Sequence, residues 1–234
     1  MKTLIAVINC HIRPAYADAL RETWIPRIPE GLDYKFFLGP STREPKEDEV
    51  FLDCDDSYGG LPSKVREIAR WALSHDYDFM AKCDDDVVLM PDRLLASNYD
   101  KYDFVGNINR IFPKVTVPWG FFYTLSKRSM EIMAISELPK NNNDEAWVSD
   151  HLYVHGINLH KDHRHQLYTG RRECFVEVKK RPLRSPARLT QVESLPMVSE
   201  IISYCMYIPW VGYRELPEER NIAELKKVFK ELTQ

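Results

Sequence analysis

The sequence predicts an α/β domain built on a central, mostly parallel β-sheet with helices packed against it. Apolar runs at residues 4–8, 34–38 and 79–83 are typical of strands that are buried on both faces of such a sheet. Amphipathic segments that open with Pro14 and Pro62 lie between these runs, and proline suits the first turn of a helix. Strands that alternate with helices in this way indicate a parallel sheet.

The strands are recognised as short apolar runs bounded by turn residues. Gly39 and Pro40 end the second run, and Gly106 in a later one indicates a close backbone approach. The alternating pattern near residue 176 favours an antiparallel strand. The predicted strands are residues 4–8, 34–38, 50–52, 79–83, 103–108, 115–117, 121–125, 157–159 and 174–178.

Helices are predicted where apolar residues recur three and four positions apart behind a start signal. Ser126 and Asp144 are suited to cap helices, and Gly156 is suited to end the helix that begins at Asp144. The predicted helices begin at Pro14, Pro62, Pro91, Ser126 and Asp144. A final amphipathic helix is predicted from Ile222, Leu225, Phe229 and Leu232.

Composition limits the function classes. A length of 234 residues with 44% hydrophobic content predicts one sizeable domain, and a net charge of −3 excludes a global field for nucleic acid or membrane surfaces. The five cysteines lack a C-x-x-C pair, which argues against a disulfide framework or a zinc site. Residues 4–8 are too few to span a membrane. We therefore expect a soluble cytoplasmic protein, although a trimmed domain of a membrane-anchored enzyme would look the same.

Three consecutive carboxylates, Asp84, Asp85 and Asp86, follow the predicted strand at residues 79–83. Consecutive ionised carboxylates repel one another, and a divalent cation with oxygen ligands relieves that repulsion. Ligands of open α/β sheets bind beyond the carboxyl ends of strands, where this cluster lies. On an extended backbone Asp84 and Asp86 point to one side and Asp85 to the other.

Other residues fit a nucleoside diphosphate. Lys64 lies in the first turn of the helix that Pro62 opens, where helix N-termini bind anions. An arginine in the first loop and the histidines at 160, 163 and 165 complete the parts for a metal-bound diphosphate. A bound metal would neutralise the charge on a departing diphosphate. An exposed lysine and solvated histidines are the plain alternatives.

Five ordered segments resemble the motifs of the β-1,3-galactosyltransferase and Fringe-like family of inverting GT-A glycosyltransferases. They are residues 21–24 (Arg-Glu-Thr-Trp), 36–39 (Phe-Phe-Leu-Gly), 56–64 (Asp-Ser-Tyr-Gly-Gly-Leu-Pro-Ser-Lys), 82–87 (Lys-Cys-Asp-Asp-Asp-Val) and 144–149 (Asp-Glu-Ala-Trp-Val-Ser), with Leu152 and Gly156. The resemblance covers residues 1–170. It implies a GT-A catalytic domain at residues 1–182, with residues 183–234 as an extension packed on the same domain.

The resemblance also implies a cofactor and site residues. The enzyme would depend on Mn²⁺ or Mg²⁺ and use a UDP-sugar as donor, with Asp86 as the metal ligand. His165 is the first choice for a histidine ligand and His163 the second. The implied nucleotide-binding residues are Arg13, Arg21, Asp56, Lys64, Asp84 and Asp85. Glu145 would be the catalytic base, and Asp144 or Asp150 could serve instead.

The resemblance thus implies an inverting transferase that moves a hexose or N-acetylhexosamine from a UDP-sugar to an acceptor hydroxyl on a glycan. Residues 171–188 hold seven basic and two acidic residues, a net charge of +5, so a hydroxylated base in DNA or RNA is an alternative acceptor. A metal-dependent phosphodiester enzyme or a metal- or nucleotide-binding protein is a second alternative. The sugar and the oligomeric state are left open.

Overall fold

A computed structural model describes residues 1–111, 115–140, 143–167, 202–205 and 218–233. The strands are β1 (Thr3–Ile8), β2 (Leu32–Leu38), β3 (Glu49–Phe51), β4 (Phe79–Asp84), β5 (Val87–Leu89), β6 (Phe104–Ile111), β7 (Thr116–Ser126), β8 (His160–Lys161), β9 (His165–Leu167) and β10 (Ser203–Cys205). The helices are α1 (Pro14–Glu22), α2 (Leu61–Ser74), α3 (Pro91–Leu95), α4 (Lys127–Ile135), α5 (Asp144–Val154) and α6 (Glu218–Leu232).

The central sheet has the strand order β3-β2-β1-β4-β7-β6-β8. Strands β3, β2, β1 and β4 are parallel, whereas β7 is antiparallel to both β4 and β6. Ile8 at the end of β1 is in register with Phe37 in β2 and Asp84 in β4. The carboxyl ends of three parallel strands therefore meet at one edge of the sheet.

The core lies on both faces of this sheet, as the period of a strand requires. Alternate residues of β1 face opposite clusters: Ile5 and Val7 pack with α1 and α6, and Leu4 and Ala6 pack with α2, α4 and α5. All four side chains are fully buried. The unbroken apolar run of β1 is thus explained by helices on both faces.

A smaller sheet has the order β5-β10-β9. β10 is antiparallel to β5, in register from Ser203 and Leu89 to Cys205 and Val87, and it is parallel to β9. This sheet follows directly after the aspartate cluster, because β5 begins one residue beyond Asp86. Sequence reasoning did not predict β5.

Several predicted boundaries are confirmed and others are wrong. Ser126 caps α4 by accepting a hydrogen bond from the Ser129 amide at 3.3 Å, and Gly156 adopts φ +77° just beyond α5. The cap of α5 is Asn143 rather than Asp144, because the Asn143 side chain accepts from the Ala146 amide. An Asx side chain one position earlier performs the same capping.

Two predictions about strands need correction. Residues 115–117 and 121–125 belong to one strand, β7. Its pairing with β6 shifts register on either side of Ile108, which lies opposite Pro118, so the strand continues through the proline. Residues 157–159 are not a strand, and pairing with β6 begins at His160 instead. The strand predicted at residues 174–178 lies outside the described residues.

The predicted C-terminal helix is confirmed as α6. Leu225, Val228 and Leu232 are buried in the cluster that contains β1 and α1. Arg93 donates a hydrogen bond to the Leu232 carbonyl at 3.0 Å, and the Arg27 guanidinium lies 4.9 Å from the centre of the Phe229 ring. In the described parts of the chain, every helix is too short or too polar to cross a bilayer.

Candidate functional site

The aspartate cluster lies at the edge of the sheet where the parallel strands end. Asp84 is the last residue of β4, and Asp85 and Asp86 form the turn to β5. The side chains of Asp84 and Asp86 are 33% and 23% exposed, whereas Asp85 is buried. Burial and neighbouring carboxylates raise the pKa values of all three residues. Each of the three carboxylates is therefore harder to ionise than an isolated one, and a cation beside the turn would favour the ionised forms.

Arg13 joins the first loop to this cluster. Its Nη1 lies 2.8 Å from Asp85 Oδ1, and its Nη2 lies 3.8 Å from Asp86 Oδ2. Asn9 Nδ2 donates to the other oxygen of Asp85 at 2.8 Å. Both oxygens of Asp85 are thus engaged with protein groups, so this residue anchors the arginine. Asp84 and Asp86 are the more exposed carboxylates.

Lys82 links the cluster to the opposite side of the cleft. Its side chain is 2% exposed, and its ammonium lies 2.5 Å from Asp84 Oδ1 and 3.9 Å from Asp144 Oδ2 and also donates to the carbonyl of Gly120. Burial alone would lower the pKa of Lys82, but the charges of Asp84 and Asp144 raise it above the ordinary value. The lysine therefore stays charged between two carboxylates from different elements.

Asp144 and Glu145 form the first turn of α5. Asp144 is 3% exposed and accepts a hydrogen bond from the Tyr123 hydroxyl at 3.2 Å. Burial, with the charge of Glu145, raises the pKa of Asp144 to about 6 despite the opposing charge of Lys82. The Glu145 carboxylate lies over Gly120, where an added Cβ would meet Oε2 at 3.2 Å. The two predicted catalytic acids and Asp84 thus surround Lys82.

Asp56 and Lys64 tie three loops together at this edge. Lys64 Nζ lies 2.5 Å from Asp56 Oδ1 and 2.9 Å from the carbonyl of Asn9. Asp56 also accepts from the amides of His11 at 2.9 Å and Gly39 at 2.6 Å. Although burial raises the pKa of Asp56, these hydrogen bonds hold it below the ordinary value. The pair braces the loops after β1, β2 and β3, and Lys64 is only 2% exposed.

Arg21 lies at the end of α1. It forms a two-pronged ion pair with Asp48, at 2.8 and 2.9 Å, and lies 3.3 Å from Glu49. This network ties α1 to the start of β3. The structure brings Arg13, not Arg21, into contact with the aspartate cluster, and the nucleotide-binding roles of Arg21, Asp56 and Lys64 stay predictions.

The predicted histidine ligands lie in different surroundings. His165 is 1% exposed, stacks on Phe122 at 4.5 Å and shares a 2.8 Å hydrogen bond between Nδ1 and Ser203 Oγ. Burial lowers its pKa to about 4, so its ring is neutral. His163 is exposed and lines a cleft of about 350 Å³ with Tyr102 and His160. Metal ligation by either histidine stays a prediction.

The donor set at the turn fits a divalent cation. Among the described residues, no three or more His, Cys, Asp or Glu side chains are arranged to hold a metal by themselves. Asp84 and Asp86 nevertheless offer hard oxygen donors at a partly exposed turn. Mg²⁺ and similar ions are commonly held by one or two carboxylates together with substrate phosphates. The residues present are compatible with that arrangement.

Sequence reasoning missed three members of the site, Lys82, Asn9 and Tyr123. The sequence contains a signal for Lys82, because a charged residue inside a buried strand requires a partner of opposite charge. Asn9 ends the first apolar run and Tyr123 lies in an apolar run, so neither stands out from its neighbours. Their roles depend on contacts across the sheet.

Known proteins resemble this chain in part. No protein-family model matches it. It is 34% identical to a probable β-1,3-galactosyltransferase 13 of Arabidopsis thaliana, over 32% of this chain and 28% of the plant protein. It is 35% identical to a probable β-1,3-galactosyltransferase 12 of the same plant, over 32% and 26%. The chain thus spans less than a third of the length of these relatives.

One solved structure is similar over nearly the whole chain. A glycosyltransferase involved in the glycosylation of the major capsid of PBCV-1 aligns with a TM-score of 0.56 and 11% identity, over 97% of this chain and 100% of that one. The GT-A-like fold predicted from the sequence is confirmed. The sequence matches support a glycosyltransferase family without indicating a specific member.

Replacing Lys82 with methionine should destabilise the protein in a pH-dependent way. The change leaves the buried Asp144 and the partly exposed Asp84 without their shared cation, which should lower the free energy of unfolding by about 3–5 kcal/mol at pH 8. Folding raises the pKa of Asp144 to about 6, so its contribution to stability is present at low pH and is lost as the pH rises through 6. Without Lys82 the pKa of folded Asp144 rises further, so this loss of stability grows. The destabilisation caused by Lys82→Met should therefore be smaller at pH 5 than at pH 8.

Urea unfolding at pH 5 and pH 8 measures this difference. The double variant Lys82→Met/Asp144→Asn should recover part of the stability at pH 8, because one of the two unpaired charges is gone. An equal loss at both pH values would contradict the assignment of Lys82 as the shared cation.

Replacing Gly39 with alanine should disturb the Asp56–Lys64 brace. An added Cβ would lie 2.5 Å from Asp56 Cβ and 2.9 Å from Asp56 Cγ, so the carboxylate must move. We expect a loss of about 1–3 kcal/mol in the free energy of unfolding. Gly59→Ala is the control, since its Cβ would meet Ser57 Oγ at 3.4 Å. Equal free energies of unfolding for Gly39→Ala and Gly59→Ala would show that moving the Asp56 carboxylate does not destabilise the protein.

Proposed function

We propose that the chain is an inverting glycosyltransferase that moves a hexose or N-acetylhexosamine from a UDP-sugar to an acceptor hydroxyl on a glycan. One observation carries the proposal: Lys82 lies between Asp84 on the donor side and Asp144, next to Glu145, on the opposite side. A glycosyl transfer needs one group that holds the departing diphosphate and another that takes the proton from the acceptor hydroxyl. Carboxylates on two sides of one cleft suit these two tasks.

The donor side is the aspartate turn with Arg13. Asp86 would hold Mn²⁺ or Mg²⁺, which when bound supplies positive charge to the departing diphosphate. Arg13 contacts Asp85 and Asp86, so its guanidinium is held beside the turn and adds a second positive charge. Asp84 would contact the nucleoside, as the resemblance implies.

The acceptor side is the first turn of α5. Glu145 is less buried than Asp144, which is engaged with Tyr123 and lies near Lys82. Glu145 would remove the proton of the acceptor hydroxyl as its oxygen attacks the anomeric carbon. The new bond joins that carbon to the acceptor oxygen, the bond to the diphosphate oxygen breaks, and UDP leaves with the electron pair. Attack opposite to UDP inverts the configuration.

Two alternatives follow from other observations. Asp144 could serve as the base, because its pKa of about 6 is closer to neutrality than that of an ordinary carboxylate. A nucleic-acid acceptor would depend on the basic residues 171–188, which lie outside the described residues. That acceptor and a phosphodiester reaction stay predictions.

Replacing Glu145 with glutamine should lower kcat by at least about 100-fold and leave the affinity for UDP within about twofold, because the amide cannot accept the proton. The measurement is UDP release from a panel of UDP-sugars with Mn²⁺ and acceptor glycans, with the configuration of the product determined by NMR. Glu131→Gln is the control, since Glu131 is an exposed acid on α4 with no assigned role in the site.

Three outcomes would change the proposal. Full activity of Glu145→Gln with an inactive Asp144→Asn would move the base to Asp144. A product that retains the anomeric configuration would exclude the inverting reaction. Turnover of a phosphodiester with no UDP-sugar consumed would contradict the glycosyltransferase proposal.

A further inference from the structure

The C-terminal helix α6 contacts the helix that carries the first-loop arginine. Asn221 Nδ2 donates a hydrogen bond to the Tyr16 hydroxyl at 3.1 Å, across 205 positions of sequence. Five residues later Lys226 pairs with Glu22 at the other end of α1. Leu225 and Val228 bury the apolar face of α6 in the core cluster that includes α1. The two helices therefore meet along their length.

Tyr16 continues this contact toward the aspartate cluster. Its side chain is 5% exposed, and the Arg13 guanidinium lies 3.9 Å from the centre of its ring, in cation–π geometry. The other side of the guanidinium contacts Asp85 at 2.8 Å and Asp86 at 3.8 Å. Asn221, Tyr16, Arg13 and the aspartates thus form an unbroken series of contacts.

We propose that α6 is part of the donor site, with Asn221 and Tyr16 acting as positioning residues that fix the Arg13 guanidinium against the aspartate turn. The role of Arg13 toward a nucleoside diphosphate rests on the proposed function. The series of contacts from Asn221 to the aspartates does not depend on the proposed function.

Physical reasons favour a positioning role over simple packing. The Arg13 side chain is 36% exposed and has several rotatable bonds, so without a fixed platform it would sample many rotamers. The carboxylates hold one end of the guanidinium, and the Tyr16 ring covers its face. The Asn221 hydrogen bond fixes the tip of that ring. An arginine held in this way loses less entropy when it binds an anion.

The test uses Tyr16→Phe, Asn221→Ala and the double variant in the full chain. Both single changes remove the hydrogen bond between Asn221 and Tyr16, and Tyr16→Phe also removes the interaction of the Tyr16 hydroxyl with Arg13. We expect each to weaken UDP binding with Mn²⁺ about threefold to tenfold, raise KM for the donor to a similar extent and leave kcat within about twofold. The double variant should bind UDP no more weakly than Tyr16→Phe alone, because that change already removes the interaction with Asn221.

Lys226→Ala is the matched control. It removes another contact between α1 and α6, the partly exposed ion pair with Glu22, and leaves the Asn221 hydrogen bond in place. UDP affinity should stay within about twofold of the wild type. An equal loss of affinity in Lys226→Ala and Asn221→Ala would mean that helix packing in general, not positioning of Arg13, sets the affinity, and would overturn the inference.

A ligand-free measurement separates this inference from the proposed function. ¹⁵N relaxation of the Arg13 Nε–Hε group, assigned by its disappearance in Arg13→Lys, reports how firmly the guanidinium is held. Asn221→Ala and Tyr16→Phe should both lower its order parameter. An unchanged order parameter would overturn the inference even if UDP binds. A lowered value in a protein that binds no UDP would support the positioning role and refute the proposed function.

Discussion

The arrangement of the cleft depends on one buried cation. Lys82 lies inside strand β4 with 2% of its side chain exposed, and it contacts Asp84 from its own strand and lies near Asp144 from α5. A charged group can be buried at this depth only with opposite charge and hydrogen-bond acceptors close by. The two carboxylates and the Gly120 carbonyl supply them. The interaction that stabilises the ammonium therefore also fixes the separation of the two acidic sides, and Glu145 is held beside the same glycine.

The second constraint is the edge of the sheet. Because β1, β2 and β4 are parallel, their carboxyl ends leave three loops side by side, each with polar backbone groups that need partners. Asp56 accepts from two of these loops and pairs with Lys64, which in turn donates to the Asn9 carbonyl. This brace holds the first loop, and the first loop presents Arg13 to the aspartates. The two lysines, 82 and 64, thus stabilise the site from within and leave Arg13 as the more exposed cation.

Much of this structure could be predicted from local sequence. The apolar runs at β1, β2 and β4, the prolines in the first turns of α1 and α2, and the aspartates at the end of β4 are local signals that tertiary contacts did not override. The continuity of β7 through Pro118 could not be predicted, because it depends on the irregular register with β6. The role of Lys82 was missed since its partner Asp144 is distant in sequence. The Asn221–Tyr16 contact across 205 positions leaves no pattern in either segment.

The central claim is that the aspartate turn binds a nucleoside diphosphate together with a divalent cation. Calorimetric titration of UDP into the full chain, with and without Mn²⁺, tests it most directly. Mn²⁺ should increase UDP affinity at least about tenfold, equivalent to about 1.4 kcal/mol, and Asp86→Ala should abolish the increase. Equal affinity for UDP with and without the metal, or an undiminished increase in Asp86→Ala, would contradict it.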